Sequence, residues 1–181
     1  MPNFIMLNEV SKMKDKTTKK LIFAALFAAL TCVSTMVIKI PTPLGGYIHA
    51  GDAVVLLAAF LLGPLWGALA AGLGSALADI VSGYVIYAPG TFVIKAVVAL
   101  LAAWLLSRRF VKNQLAKAII AGIVAETVMV GGYLLYEAVF LGFGAAAVAN
   151  IPMNAIQGAF GAVAGAALFV ALSKTNYFKG E

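Results

Sequence analysis

Charge is what this sequence has least of. Only 11% of its 181 residues are Asp, Glu, Lys or Arg, against about 25% in a typical soluble domain. It carries one cysteine and one histidine. A single cysteine excludes an intrachain disulfide, and Cys32, inside the first apolar run, reads as a packing residue. An intramembrane protease or lipid transferase would need a metal cluster, or a nucleophile beside a base. With one loop histidine and one buried cysteine, no catalytic residue and no metal site are expected. No Gly-rich loop ending in Lys-Ser or Lys-Thr is present, so the chain has no nucleotide-binding motif of its own. There is no low-complexity segment, no convincing internal repeat and no spare length for a soluble catalytic domain. No cofactor is expected, and the chain does not read as an enzyme.

What is present is apolar. Hydrophobic residues make up 63% of the chain, and the mean hydropathy is +1.01. The class is therefore a polytopic membrane protein. Residues 1–17 read as a charged, poorly ordered cytoplasmic tail, and residues 18–181 as a single membrane domain of six segments. The first, Leu21–Ile38, has eighteen residues without charge, enough to cross most of a bilayer core of about 30 Å. It runs into Lys39 and Pro41 rather than a small-residue cleavage site, which argues against a signal peptide. The second, Ala53–Leu62, spans only about 15 Å and needs shielding by its neighbours. Gly63-Pro64 breaks it. The others are Leu65–Val81, Pro89–Leu106, with proline suited to a helix start, Leu115–Phe140 and Ala145–Leu172.

The basic residues set the orientation. With the amino terminus inside, eleven of the thirteen Lys and Arg residues are cytoplasmic: Lys12, Lys14, Lys16, Lys19, Lys20, Arg108, Arg109, Lys112, Lys117, Lys174 and Lys179. Only Lys39 and Lys95 lie outside or within the membrane. This positive-inside bias accounts for the net charge of +6 without nucleic acid. Six spans place both termini in the cytoplasm. The loop "PTPLGGYIHAGD" (Pro41–Asp52) is then extracytoplasmic.

Ionisable groups inside spans are costly, so each points to function by default. Glu126, Val130, Tyr133 and Glu137 form one helical stripe, and Asn150, Asn154 and Gln157 another. Thr91 and Lys95 share a face, as do Gly72, Ser75, Asp79 and Ser82. Lys95 lies about 9 Å below the start of its helix. Given the segment directions, Tyr133, Glu137, Asn150, Asn154, Lys95, Asp79 and Tyr84 fall in the outer half, with Glu126 and Gln157 deeper. Many polar groups at one depth, beneath a Gly/Pro loop, suit a pocket open to the outside. Amides donate and accept, carboxylates accept, and tyrosines stack on flat rings. That set fits a heteroaromatic, hydroxyl-bearing ligand such as a vitamin.

Plainer readings stand beside this one. The amides could satisfy one another across helices. Lys95 and Glu137 could form a buried ion pair. Asp79 could cap a helix or pair with Lys95, Glu126 could be a structural hydrogen-bonder, and His49 a solvated loop residue. Asp52 is placed to cap the second helix.

In "AALFAAL", Ala25 and Ala29 are spaced by four, with Ala24 and Ala28 beside them. This spacing lets another helix approach closely.

The basic tail with "LIFAALFAALT", the block "IPTPLGGYIHAGDAVVLLAAFLLGPLWGALAAGLGSALADIVSGY", "YAPGTFVIKA" and "NIPMNAIQG" together resemble the substrate-binding S component of energy-coupling factor (ECF) vitamin transporters. The likeness covers residues 18–172 and is greatest to the riboflavin, pyridoxine and hydroxymethylpyrimidine branch. It implies an all-α, six-transmembrane-helix bundle in a prokaryotic cell membrane, with both termini cytoplasmic. It implies tight vitamin binding from outside without nucleotide, and partners in a membrane T component and two ATPases. The first helix would dock on the T component through Ala25 and Ala29. The Pro41–Asp52 loop would gate the site, with ligand contacts mapping to His49, Lys95, Tyr133, Glu137, Asn150 and Asn154. The alternative is a small self-sufficient transporter or channel, which needs a continuous polar path. The inner halves of the segments are nearly all Ala, Val, Leu and Gly, so such a path closes below Glu126.

Overall fold

The computed structural model describes residues 2–175, with side chains from residue 17 onward. Among these, five helices are long and apolar enough to cross a membrane. Helix α1 (Pro2–Val37) contains the first apolar run and is already helical through the segment read as a poorly ordered tail. A short antiparallel hairpin follows, β1 (Lys39–Pro41) and β2 (Tyr47–His49). Then come α2 (Asp52–Val81), α3 (Ala88–Ser107) and α4 (Gln114–Leu135). Helix α4 ends in a π-helical turn (Tyr136–Phe140), and a 3-10 turn (Gly144–Asn150) leads into α5 (Ile151–Ser173). Lys179 lies outside the described residues.

The second and third apolar segments are two arms of α2, joined at Gly63. Its φ of 78° and ψ of −175° are non-helical and belong to a region that is essentially glycine's alone. Pro64 follows, with no N–H to continue the helical ladder. The arms fold back on each other. A Cβ built on Gly67 would stand 2.7 Å from the Ala59 Cα, whereas residues eight apart in a straight helix are about 12 Å apart along the axis. Both arms of α2 therefore run from the kink toward the same end of the bundle. The first arm, about eleven residues, is the shorter, so Asp52 starts at mid-depth.

Every residue from Gly51 to Phe60 is buried, which gives the half-length arm the shielding its length demands. Helix α2 packs on α1, α3 and α5, and α4 packs between α3 and α5. Val55, Leu56, Val98, Ala99, Ala102 and Met129 form the fully buried centre. Helix α1 is more peripheral. Ala24 is buried and Ala28 half-buried toward α2, while Ala25 and Ala29 face away from the bundle.

The two glycines at the fold-back should fail differently. Gly63→Ala meets no atom within 4 Å and suffers only the backbone cost, about 1–3 kcal/mol. Gly67→Leu must part the arms, and its loss of melting temperature in detergent should be larger. Gly131→Ala, which also meets nothing within 4 Å, should melt like the unchanged chain.

Candidate functional site

Residues 39–49 form a lid rather than an open loop. The pairing sets Lys39 opposite His49, Ile40 opposite Ile48 and Pro41 opposite Tyr47. The turn closes through the Thr42 N–H, which donates to the Gly46 carbonyl at 2.9 Å, with Gly45 at φ 81°. Alternation along a strand puts Tyr47 and His49 on one face and the buried Ile48 on the other. Three ties hold the lid down. Lys39 Nζ donates to Ser82 Oγ at 2.9 Å, Tyr47 OH to Asp79 Oδ1 at 2.7 Å, and the His49 backbone N–H to Gln157 Oε1 at 2.8 Å.

Beneath the lid is a buried ion pair. Lys95 Nζ lies 2.5 Å from Asp52 Oδ1, and neither side chain is more than 1% exposed. Gln157 Nε2 donates to the other oxygen, Asp52 Oδ2, at 2.6 Å. The ammonium also sits 5.4 Å from the centre of the Tyr133 ring. Gly161 makes room, because a Cβ there would be 2.7 Å from Asp52 Cβ. This corrects three expectations. Asp52 does not cap α2: Gly51 holds that position without a side-chain bond. Asp79 is not the ion-pair partner of Lys95 and instead accepts from Tyr47. Glu137 does not pair with Lys95 either. Its Oε1 accepts from Asn150 Nδ2 at 2.9 Å and from Tyr87 OH at 3.3 Å.

Lid and helix ends enclose a cavity of about 20 Å³ lined by Thr42, Gly46, Tyr47, His49, Asp79, Tyr87, Thr91, Tyr133, Glu137, Asn154 and Gln157. That volume admits a water molecule or two, so anything the size of a vitamin requires the lid to lift. Six of the residues picked out by sequence line it: His49, Asp79, Tyr133, Glu137, Asn154 and Gln157. Lys95 lies behind the wall in its ion pair, and Asn150 stands behind Glu137. Tyr84 backs the lid, its ring 4.5 Å from that of Tyr47. Sequence reasoning missed Tyr87 and Thr42 as lining residues. It set Thr91 on the face of Lys95 but did not select it. Thr91 Oγ1 accepts from Tyr133 OH at 3.0 Å and fixes that ring. Asp52 was legible in principle: a lysine inside a span demands a carboxylate at matching depth.

His49 is not a freely solvated loop residue. Its Nδ1 accepts from the Gly51 N–H at 3.0 Å, which leaves the proton of the neutral ring on Nε2. Burial pushes the imidazole down to about 4, with Asp52 pulling upward and Lys95 adding to the fall. Burial likewise raises the Tyr47 and Tyr87 hydroxyls above their usual range, helped by Asp79 and Glu137 respectively, so both stay donors at physiological pH.

Two outcomes follow. Between about pH 6.5 and 4 the unfolded chain binds a proton at His49 that the folded chain does not. Thermal stability in detergent should therefore fall as pH drops through that window, and His49→Gln should flatten the slope there. Lys95→Met strands the Asp52 carboxylate and should cost about 3–5 kcal/mol. The double change Lys95→Met with Asp52→Leu should recover much of that loss in the same melting assay.

Comparison with known proteins bears on the family and the fold. An uncharacterised Pyrococcus woesei protein, encoded in the gap 3′ region, is 36% identical over 145 residues, covering 78% of this chain and 93% of its own length. The fold resembles the S component for biotin from an ECF-type ABC transporter, with a TM-score of 0.69 at 17% identity over 91% of this chain and 96% of that one. It also resembles the S component of a bacterial ECF transporter, with a TM-score of 0.67 at 26% identity over 91% and 99% of the two chains. Residues 15–174 match the model of the family described as ECF-type riboflavin transporter, S component. A lidded polar cavity at one end of an apolar helical bundle, joined to a match over nearly the whole length, places the chain in that family of transporter S components.

Proposed function

We propose that this chain captures a small vitamin or vitamin precursor, of the pyridoxine, hydroxymethylpyrimidine or riboflavin type, from the extracytoplasmic side and delivers it to an ATP-driven partner. The observation that carries the reading is the separation of charge along the bundle. Lys19, Lys20, Arg108, Arg109, Lys112, Lys117 and Lys174 sit at the helix ends away from the lid. The positive-inside rule makes that end cytoplasmic and turns the cavity outward. Counting the two arms of α2 as separate crossings, one of them half-length, gives six helices and both termini in the cytoplasm of a prokaryotic cell.

Tyr47, His49, Asp79, Tyr133, Glu137, Asn154 and Gln157 are the contact residues in this reading. Lys95 and Asn150 position them, and Tyr84 supports the lid. A channel would need a polar path inward, but below Glu126 the buried side chains, among them Ala102, Ala118, Ala121 and Ala166, are apolar. Energy then comes from partners, a membrane T component and two ATPases. Ala25 and Ala29 offer the low-relief surface on which the T component docks. Only 22% of the most apolar stretch of α1 is buried within the chain.

Binding and transport should separate. In detergent without nucleotide, a cognate vitamin at a thousand times its dissociation constant should stabilise the chain by about 4 kcal/mol. Ala25→Leu with Ala29→Leu should keep that shift yet abolish uptake by cells expressing the partners. Normal uptake by the double variant would rule out this docking face, and uptake by vesicles holding this chain alone would rule out dependence on partners.

A further inference from the structure

The lining of the cavity is unbalanced in hydrogen-bonding character. Its tyrosine hydroxyls are engaged: Tyr47 with Asp79, Tyr87 with Glu137 and Tyr133 with Thr91. Gln157 uses both ends of its amide, on His49 and on Asp52. Of the carboxyl oxygens in the lining, two are buried without a partner, Asp79 Oδ2 and Glu137 Oε2. Their side chains belong to residues only 5% and 3% exposed, and both residues line the cavity. Of the two lysines nearby, Lys95 is taken by Asp52 and Lys39 is exposed and bonded to Ser82, and no lysine or arginine lines the cavity.

Resting on the reading of the chain as a vitamin-binding subunit, we infer that its ligand is a neutral or cationic ring that brings hydrogen-bond donors to Asp79 and Glu137 and carries no carboxylate. An anionic group would enter a poorly hydrated site against two carboxyl side chains with no cation in the lining to meet it. Ring amino, ring N–H or hydroxymethyl donors instead satisfy the two orphaned oxygens, each of which is costly to leave buried and unpaired. The Tyr47 and Tyr133 rings offer flat walls for an aromatic body and attract a positively charged one. Asn154 supplies an amide at the same wall, able both to donate and to accept.

The test uses the full chain in detergent and two sets of probes. The donor-bearing, non-anionic set is pyridoxine, hydroxymethylpyrimidine, thiamin and riboflavin. The carboxylate set is biotin and pantothenate. Only members of the first set should raise the melting temperature. For the compound that does, Asp79→Asn and Glu137→Gln should each raise Kd by at least about tenfold, ~1.4 kcal/mol. Both changes keep the oxygen that accepts from Tyr47, or from Tyr87 and Asn150, and convert only the orphaned acceptor to a donor. The folded contacts therefore survive, and melting of the ligand-free variants checks this. Binding of biotin or pantothenate, or a smaller loss in either variant, overturns the inference while leaving the binding-subunit reading in place. Silence from all six compounds overturns both.

Discussion

A lysine ammonium wholly enclosed in a membrane-spanning bundle leaves few choices for everything around it. It must meet a carboxylate, the remaining carboxylate oxygen must be satisfied, and all three groups must sit at the same depth. Lys95, Asp52 and Gln157 meet those terms from three different helices. Much of the fold can be understood as what brings them together. Helix α3 must carry its lysine about two turns inside its start. Helix α5 must present Gln157 on the same level and Gly161 one turn on, where any larger residue would push Asp52 away. Helix α2 must begin in mid-membrane, and that is the least usual demand.

The fold-back at Gly63 answers it. A full-length helix would start at the surface and hold Asp52 among water and headgroups. The half-length arm starts about halfway down, with its first turn wrapped by other helices because no lipid could satisfy its exposed N–H groups. Space above that buried start is what the lid and the cavity occupy. The short arm, the ion pair and the site thus follow from one another: removing the length deficit would fill the cavity with helix.

Much of this was legible in the sequence. Gly63-Pro64 marked the break, the half-length of 53–62 foretold shielding, and the stripes carrying Tyr133 with Glu137 and Asn154 with Gln157 identified the cavity-facing sides of two helices. Pairings across the fold were not legible. Periodicity reports which face a residue occupies and how deep it lies, but not which of several carboxylates at similar depth wins the lysine. Asp52 followed a glycine at a helix start and so looked like a cap. Asp79 and Glu137 were equally credible partners. The deciding fact was the close approach allowed by Gly161, a contact between residues more than a hundred apart in the chain. The strand pairing in 39–49 was hidden for another reason. Three-residue strands leave too short an alternation to stand out beside two prolines and a pair of glycines.

The tie between lid and core has a consequence for how such a protein diversifies. Gln157 grips β2 by the main chain at His49, not by the imidazole. The latch is therefore indifferent to which side chain occupies that position. His49 projects from the strand as a replaceable finger, whereas Tyr47 is itself one of the ties, through Asp79. The side chain at residue 49 can be exchanged without undoing the main-chain latch, a division of labour that makes it a natural place to redesign specificity in this scaffold.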